Sequence, residues 1–205
     1  MKEVWEKQYE EKKPPWNYDL FDKDLLEFFR IRIFDNRKYS VIDLGCGNGS
    51  QAHYIEKSGN LIGKNLFDVT ATDIVNALEY DVGNFIIDDA LDSRLTKKYD
   101  IIIDRGLIHN LFHLKDKRHK YFEMIGNIIH DESYIVLKVM SPYEARFNPA
   151  THSGPYRFNE KQLIEFFSGF GFKCIQLKDT FFYSNIEPPL RGYFSIYKKE
   201  GDVNV

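Results

Sequence analysis

The stretch Tyr39-Ser40-Val41-Ile42-Asp43-Leu44-Gly45-Cys46-Gly47-Asn48-Gly49-Ser50 decides how the chain is read. Tyr39 to Leu44 is a short apolar run bounded by polar residues and ended by glycines, the pattern of a buried strand. It runs directly into glycines that alternate with small or polar residues, and glycine lets a backbone turn sharply and approach a ligand closely. Ser50 to Lys57 then reads as a helix. Such a loop alone also fits a plain strand-to-helix turn or the start of a dinucleotide site. The spacing argues against the latter, because a dinucleotide fingerprint runs G-x-G-x-x-G and leaves room for a pyrophosphate on the helix N-terminus. Here the spacing is G-x-G-x-G, and Asp43 stands inside the strand end. A carboxylate there repels a pyrophosphate and suits a cationic ligand group.

Outward from this stretch, strand and helix patterns alternate. Leu20, Phe21, Leu25, Phe28, Phe29 and Ile33 recur at helical spacing between Asp19 and about Arg37, with Asp19 as a cap. Phe67 to Thr72, Asn84 to Ile87, Tyr99 to Asp104 and Tyr134 to Met140 read as strands. Residues 117–130 and Asn159 to Ser168 read as helices, Asn159 capping the second. Two aromatic-rich extended segments, about 172–182 and 191–198, close the chain as an antiparallel hairpin. All-apolar strands alternating with helices imply a parallel sheet covered on both faces. Residues 1–18 are charged and aromatic and read as an arm followed by a turn at Pro14-Pro15-Trp16. The loop from Ser58 to Leu66 reads as an insertion. The expected organisation is an N-terminal aromatic arm or lid over 1–18 and one α/β domain over 19–205.

Ligands bind at the carboxyl ends of the strands in such a sheet. The second strand ends at Asp73, placed to accept from two ribose hydroxyls. The third ends in Asp88-Asp89-Ala90, where a carboxylate can take an adenine amino group while a backbone N–H meets the ring. Asp43 suits the cationic amino-acid end of S-adenosylmethionine. Val41 to Ser50 resembles motif I of the class I methyltransferases, and Asp73 and Asp88-Asp89-Ala90 resemble their next two motifs. That resemblance spans nearly the whole chain. It implies a doubly wound, seven-stranded, mostly parallel Rossmann-like sheet with an antiparallel last strand, and S-adenosylmethionine as cofactor. It also implies Asp43, Gly45 and Gly47 around the methionine portion, with Cys46 and Asn48 of the same loop at the cofactor, Asp73 on the ribose, and Asp89 with Ala90 at the adenine, a role for which Asp88 competes.

Trp5-Glu6-Lys7-Gln8-Tyr9 followed by Pro15-Trp16 resembles the arm of the thiopurine, thiol and tellurite methyltransferases, which folds over the cofactor; Trp5 and Trp16 are therefore expected at the ligand. Asp104-Arg105-Gly106-Leu107 resembles that group's motif after the fourth strand, so Asp104 and Arg105 are expected at the cofactor and Arg105 also at the acceptor. Gly154-Pro155-Tyr156-Arg157-Phe158 and Asp179-Thr180 fit as pocket-edge elements. His109 is the first candidate proton acceptor. His113 lies four residues on, yet no third ligand joins the pair, so no metal site is expected. Asp104-Arg105-Gly106 also resembles the Asp-Lys-Gly motif of protein-lysine methyltransferases, which keeps that activity as an alternative, as does a non-catalytic cofactor-binding subunit. The base-binding Asn/Asp-Pro-Pro-Tyr/Phe motif is absent after the fourth strand.

Composition is consistent with a small-molecule enzyme. The 205 residues carry 43% hydrophobic and 29% charged residues, with 17 Phe and 13 Tyr available for core and pocket. A net charge of −3 lacks the basic excess of a nucleic-acid binder. Two distant cysteines, Cys46 and Cys174, suggest neither a disulfide framework nor a zinc site. With no signal peptide and no membrane-length apolar run, the expectation is a cytoplasmic protein acting on a small-molecule methyl acceptor.

Overall fold

The computed structural model describes residues 2–10, 14, 16–60, 63–146 and 155–199. The elements in chain order are α1 (Lys2–Glu10), α2 (Lys23–Arg32), β1 (Tyr39–Leu44), α3 (Ser50–Asn60), β2 (Phe67–Asp73), β3 (Phe85–Ile87), β4 (Tyr99–Arg105), α4 (Leu107–Leu111), α5 (Arg118–Ile128), β5 (Ile129–Met140), α6 (Glu160–Ser168), β6 (Phe172–Phe182) and β7 (Leu190–Lys199). The strands form one seven-stranded sheet in the order β3-β2-β1-β4-β5-β7-β6. β1 through β5 pair in parallel, and β7 lies between β5 and β6, antiparallel to both. The closing hairpin is thus part of the sheet, with its second strand inserted on the inner side.

Alternation along the central strands divides the core between the two faces. Ile42, Leu44, Ile102, Ile135 and Leu137 pack with Tyr121, Phe122 and Ile125 of α5 and with Leu163 and Phe167 of α6. Val41, Ile101, Ile103 and Val136 point the other way, onto Leu25, Phe28 and Phe29 of α2 and Ala52 and Ile55 of α3. Successive strand side chains face opposite ways, so a run that is apolar throughout needs cover on both sides.

Several boundaries differ from the pattern-based expectation. Residues 2–10 of the arm form a helix. The N-cap of α2 is Asp22 rather than Asp19, its Oδ1 accepting from the Asp24 N–H at 3.1 Å. The helix expected to reach Arg37 ends at Arg32, passes through a 3-10 turn at Ile33–Asp35 and stops at Asn36, whose φ is 50°. β5 begins at Ile129, five residues earlier than Tyr134, because an irregularity lets Ile129 pair with Tyr99 before Tyr134 pairs with Ile101. Ser58 to Asn60, expected in a loop, form the last turn of α3. A β-carbon on Gly59 would lie 2.9 Å from the Phe67 ring, so only glycine fits there. Asn159 caps α6 as expected, and Gln162 completes a capping box.

One lysine lies inside this frame. Lys138 of β5 is 1% exposed, and its Nζ donates to both carboxylate oxygens of Asp22, at 2.7 and 2.8 Å, and to Oδ2 of Asp24 at 2.7 Å. Thr180 and Lys178 of β6 also meet Asp24, at 2.6 and 3.0 Å. Burial would raise the Asp24 pKa, but Lys138 and these hydrogen bonds outweigh it and hold the carboxyl below its usual value. Replacing Lys138 by Met removes the cation and leaves two buried carboxylates without it. Removing one partner of a buried ion pair costs about 3–5 kcal/mol, and urea denaturation of Lys138→Met at neutral pH should show a loss of this order; a loss below about 1 kcal/mol, the level of an exposed pair, would mean that water already reaches the cluster.

Candidate active site

A cavity of ≈ 400 Å³ opens at the carboxyl ends of the parallel strands. Its floor is the loop after β1. Gly45 and Gly47 adopt φ of 64° and 58°, in the left-handed region that glycine enters at no steric cost. A β-carbon at Gly45 would press on Leu107 at 3.2 Å, and one at Gly47 would meet the Tyr9 hydroxyl at 3.2 Å. The loop is also tied down: the Cys46 N–H donates to the Thr72 carbonyl at 2.9 Å, and Asn48 Oδ1 accepts from the Ser50 N–H at 3.2 Å. Asn48 Nδ2 donates to Asp19 at 3.1 Å. Gly45, Cys46, Gly47 and Asn48 all border the cavity.

Asp43 is 2% exposed, and its Oδ2 has no hydrogen-bond partner among the described residues. Burial pushes its carboxyl up to about 7; nearby Arg105 pulls the other way, while Asp104 and Asp73 add to the rise. A buried, unpaired acceptor is costly, and Asp43 is one of the residues that line the cavity.

Asp73, at the end of β2, accepts from the Gly47 N–H at 2.9 Å and from the Val75 N–H at 3.2 Å, so it organises the glycine loop while also lining the cavity. Burial raises its pKa despite these hydrogen bonds. Beyond β3, Asp88 Oδ1 accepts from the Arg94 N–H at 3.1 Å and Asp89 Oδ1 from the Leu91 N–H at 2.9 Å. Both carboxylates and Ala90 border the cavity.

After β4 the expectations divide. Arg105 lines the cavity, but its Nε donates to Asp22 at 3.2 Å and its Nη2 to the Tyr183 carbonyl, and the guanidinium lies over the Phe182 ring at 4.5 Å. Asp104 does not line the cavity. Fully buried, it accepts from the Leu107 and Ile108 N–H groups at 2.7 and 2.9 Å and from the Tyr121 hydroxyl at 2.8 Å. Its carboxylate caps α4 from behind, which corrects the expectation of a cofactor contact; burial pushes it up to about 6. The Asp179-Thr180 edge is likewise corrected, since Thr180 turns to Asp24. Pro155 does border the cavity, while Gly154 and Pro15 lie outside the described residues.

His109 is 4% exposed and lines the cavity. Its Nδ1 accepts from the Met140 N–H at 3.2 Å. A neutral imidazole has one accepting nitrogen, so the ring hydrogen sits on Nε2 and no lone pair remains to take a proton. Burial, with Arg105 and His113 nearby, holds its pKa down to about 3. The geometry therefore speaks against the expected role of proton acceptor. His113 packs edge-on against Tyr156, with ring centroids 5.6 Å apart.

α1 covers part of the opening. Trp5 and Trp16 meet edge to face at 5.4 Å, Tyr9 meets Trp16 at 5.9 Å, and the Trp16 Nε1–H donates to the Tyr9 hydroxyl at 3.4 Å. Burial and the adjacent Asp73 push the Tyr9 phenol well above its ordinary pKa. Gln8, Tyr9, Tyr18, Phe182 and Ser184 are cavity residues not singled out from the sequence. Trp5, Gln8 and Tyr9 stand at i, i+3 and i+4, a spacing that could have marked one helical face. No local signal marks Phe182 or Ser184, which reach the site through the sheet order.

A profile of a methyltransferase domain matches residues 16–177. No curated protein sequence matches the chain significantly. Among solved structures, the fold is similar to 1,6-didemethyltoxoflavin-N1-methyltransferase from Burkholderia thailandensis, crystallised with 1,6-didemethyltoxoflavin and S-adenosylhomocysteine. That pair has a TM-score of 0.72 and 15% identity, covering 98% of this chain and 87% of that one. An S-adenosylmethionine-dependent methyltransferase from Anabaena variabilis gives 0.72 and 13%, over 97% and 95% of the two chains. Magnesium protoporphyrin IX methyltransferase from Synechocystis, with bound S-adenosylmethionine, gives 0.58 and 16%, over 86% and 77%. With most of its length matched by that profile, this chain belongs to the methyltransferase-domain family.

Proposed function

We propose that the protein transfers the methyl group of S-adenosylmethionine to a small-molecule acceptor, with a thiol or another soft nucleophile favoured. The observation that carries this reading is the buried Oδ2 of Asp43, unpaired among the described residues, beside a glycine loop whose backbone turns through left-handed φ at Gly45 and Gly47. A cationic amino group is the partner such a carboxylate lacks. The cofactor supplies a methyl group already activated by a sulfonium. In this reading Asp43 takes the amino group, Gly45 to Asn48 pass along the methionine portion, Asp73 takes the ribose, and Asp88 or Asp89 with Ala90 takes the adenine.

The chain's own contribution is alignment and exclusion of water, and proximity alone supplies on the order of 7–11 kcal/mol. Residues 1–18 act as a lid, with Trp5 and Trp16 over the opening, on the domain formed by 19–205. The walls contributed by Trp5, Trp16, Phe182 and Met140 suit a small apolar acceptor better than a lysine side chain offered by a protein. Two of the structural relatives act on flat heterocycles, toxoflavin precursors and a protoporphyrin, which supports the same class. Arg105, bound to Asp22 and Tyr183, orients the wall next to Asp43 rather than reacting.

Calorimetric titration should show binding of S-adenosylmethionine and S-adenosylhomocysteine and none of NAD; the opposite result would remove the cofactor assignment. A cofactor-binding subunit without activity would bind both yet methylate nothing in cell extract. A charged hydrogen-bond partner is worth about 1.5–3 kcal/mol, so Asp43→Asn should weaken binding roughly ten- to a hundredfold.

The pH dependence follows from the raised Asp43 pKa. A bound ammonium group requires the carboxylate, so affinity should fall by up to about tenfold per pH unit below about 7 and level off above it. Asp43→Asn should lose that slope. Without cofactor the folded state holds this proton to higher pH than the unfolded chain does, so the carboxyl's contribution to stability is full below about 3.8 and lost as pH rises through about 7. Asp43→Asn should accordingly melt higher than wild type at pH above 7 in the absence of ligand. An unchanged or lower melting temperature would show that the carboxylate already has a partner.

A further inference from the structure

The order of the sheet divides the cavity in two. The glycine loop and the carboxylates Asp43, Asp73, Asp88 and Asp89 lie at or just beyond the C-terminal ends of β1, β2 and β3, on one side of the sheet's centre. The far half is built from the ends of β4 and β5 and from the β6–β7 connection. Neighbouring strands lie about 4.8 Å apart, so the end of β5 stands roughly 10 Å across the sheet from that of β1. If methyl transfer is the reaction, this half receives the acceptor. Its wall is apolar, with Met140, Phe182 and Leu190 packed together and Ile186 against them.

Besides Arg105, which is tied to Asp22 and to the Tyr183 carbonyl, the polar side chains of this half are few. Asn110 turns its amide nitrogen to the Gly106 carbonyl at 2.7 Å. Ser184 presents a hydroxyl, whose oxygen accepts from the Ile186 N–H at 3.2 Å. His109 is fixed more firmly. The Met140 N–H occupies its Nδ1, the Tyr156 N–H donates to its carbonyl at 2.7 Å, and its ring leans on Phe182 at 5.5 Å. Nε2 lies against Gly106, where an added β-carbon would come within 3.0 Å of it. Gly106, with φ of 99°, thereby leaves space beside Nε2 that any other residue would fill. The groups that act on the imidazole's charge are Arg105 at the end of β4 and His113 beyond α4, and both disfavour a second proton.

We infer that His109 presents its Nε2–H to the methyl acceptor as a fixed hydrogen-bond donor, and that the site takes acceptors whose nucleophilic atom carries its lone pair at neutral pH. This rests on the methyl-transfer reading and narrows its substrate class. Neither Ser184 nor Asn110 is a base at neutral pH, and Nδ1 of His109 is occupied, so this half offers no proton acceptor among the described residues. An alcohol would keep its proton there. An acidic thiol already carries the electron pair that forms the new S–CH3 bond, while the breaking S–CH3 bond returns its pair to the cofactor's sulfur and neutralises the sulfonium. An oxygen or ring-nitrogen lone pair next to the reacting atom would take the His109 hydrogen, which positions the acceptor without quenching its nucleophile. His109 is therefore a positioning and specificity residue.

Two readouts test this. Long-range 1H–15N correlation spectra of 15N-labelled protein saturated with S-adenosylhomocysteine should show His109 protonated on Nε2 and bare on Nδ1, unchanged from about pH 5 to about 8, the window in which an ordinary histidine titrates. The opposite tautomer, or a titration in that window, would overturn the donor role. Methylation of 2-methoxythiophenol, thiophenol and phenol then tests the acceptor class. One hydrogen bond is worth about a tenfold effect, so the methoxy thiol should show a KM about tenfold below that of thiophenol. That preference should vanish in His109→Leu and return in part in His109→Gln. Phenol methylated as fast as thiophenol, with an acidic limb that His109→Leu abolishes, would make His109 a base and sink the proposal. Calorimetric binding of the cofactor with no turnover of any probe would overturn the acceptor class. Failure of the cofactor to bind would instead remove the methyl-transfer reading, leaving the tautomer result to stand alone.

Discussion

The site depends on one buried charge cluster. Asp22, with no exposed surface, accepts from Lys138 of β5, from Arg105 of β4 and from the Asp24 N–H that opens α2. Its own N–H donates to Gln51 Oε1 at 2.9 Å, and Gln51 Nε2 reaches back to the Leu20 carbonyl at 2.9 Å. Asp22 thus joins the segment after the arm to the ends of two central strands through its carboxylate and to α3 through its backbone N–H. Charges this deep are tolerated only when paired and hydrogen-bonded, so these elements are held in one arrangement. Arg105 is fixed beside Asp43 by the same cluster, and Tyr18 is held at the cavity's edge.

Asp43 shows the opposite treatment of a buried charge. The fold satisfies Asp22, Asp24 and Asp104 and leaves one oxygen of Asp43 without a partner among the described residues. Arg105 stabilises its ionised form from a distance, while burial and two neighbouring carboxylates oppose it. The outcome is a carboxyl poised near neutrality, sensitive to any cation that enters the cavity. Local instability of this kind is common where a site must reward its ligand.

The topology assigns the two sides of the cavity different chemistry. Acidic strand ends and glycine backbone stand at the ends of β1 to β3, while the β4 to β7 side contributes mostly apolar side chains, the tied-down Arg105 and the fixed imidazole of His109. The insertion of β7 between β5 and β6 brings Leu190 and Phe182 to the same wall as Met140. Membership of the methyltransferase-domain family and the likeness to solved methyltransferases agree with this layout at the level of the fold.

Local sequence was enough to encode the strand–loop–helix at Tyr39 to Ser50, the order of acidic strand ends and the alternation that implies a doubly wound sheet. These are local features: a strand's apolar run, a glycine's permitted φ and a carboxylate at a strand end are each encoded within a few residues. It also carried the resemblance that implied seven strands and the antiparallel last one. What it could not determine were the partners of its charged side chains. Asp104 and Asp43 look alike in sequence, each an acid at the end of an apolar strand, yet one is spent on capping α4 and the other lines the cavity. His109 reads as a base until the fold sets the Met140 N–H against its Nδ1, from 31 residues away. Lys138, in a strand expected to be apolar, finds its partners more than a hundred residues earlier. Hydrogen bonds and ion pairs at such separations exist only once the sheet order has brought their strands together, so the tertiary structure alone decided which polar residues hold the fold and which are left for chemistry.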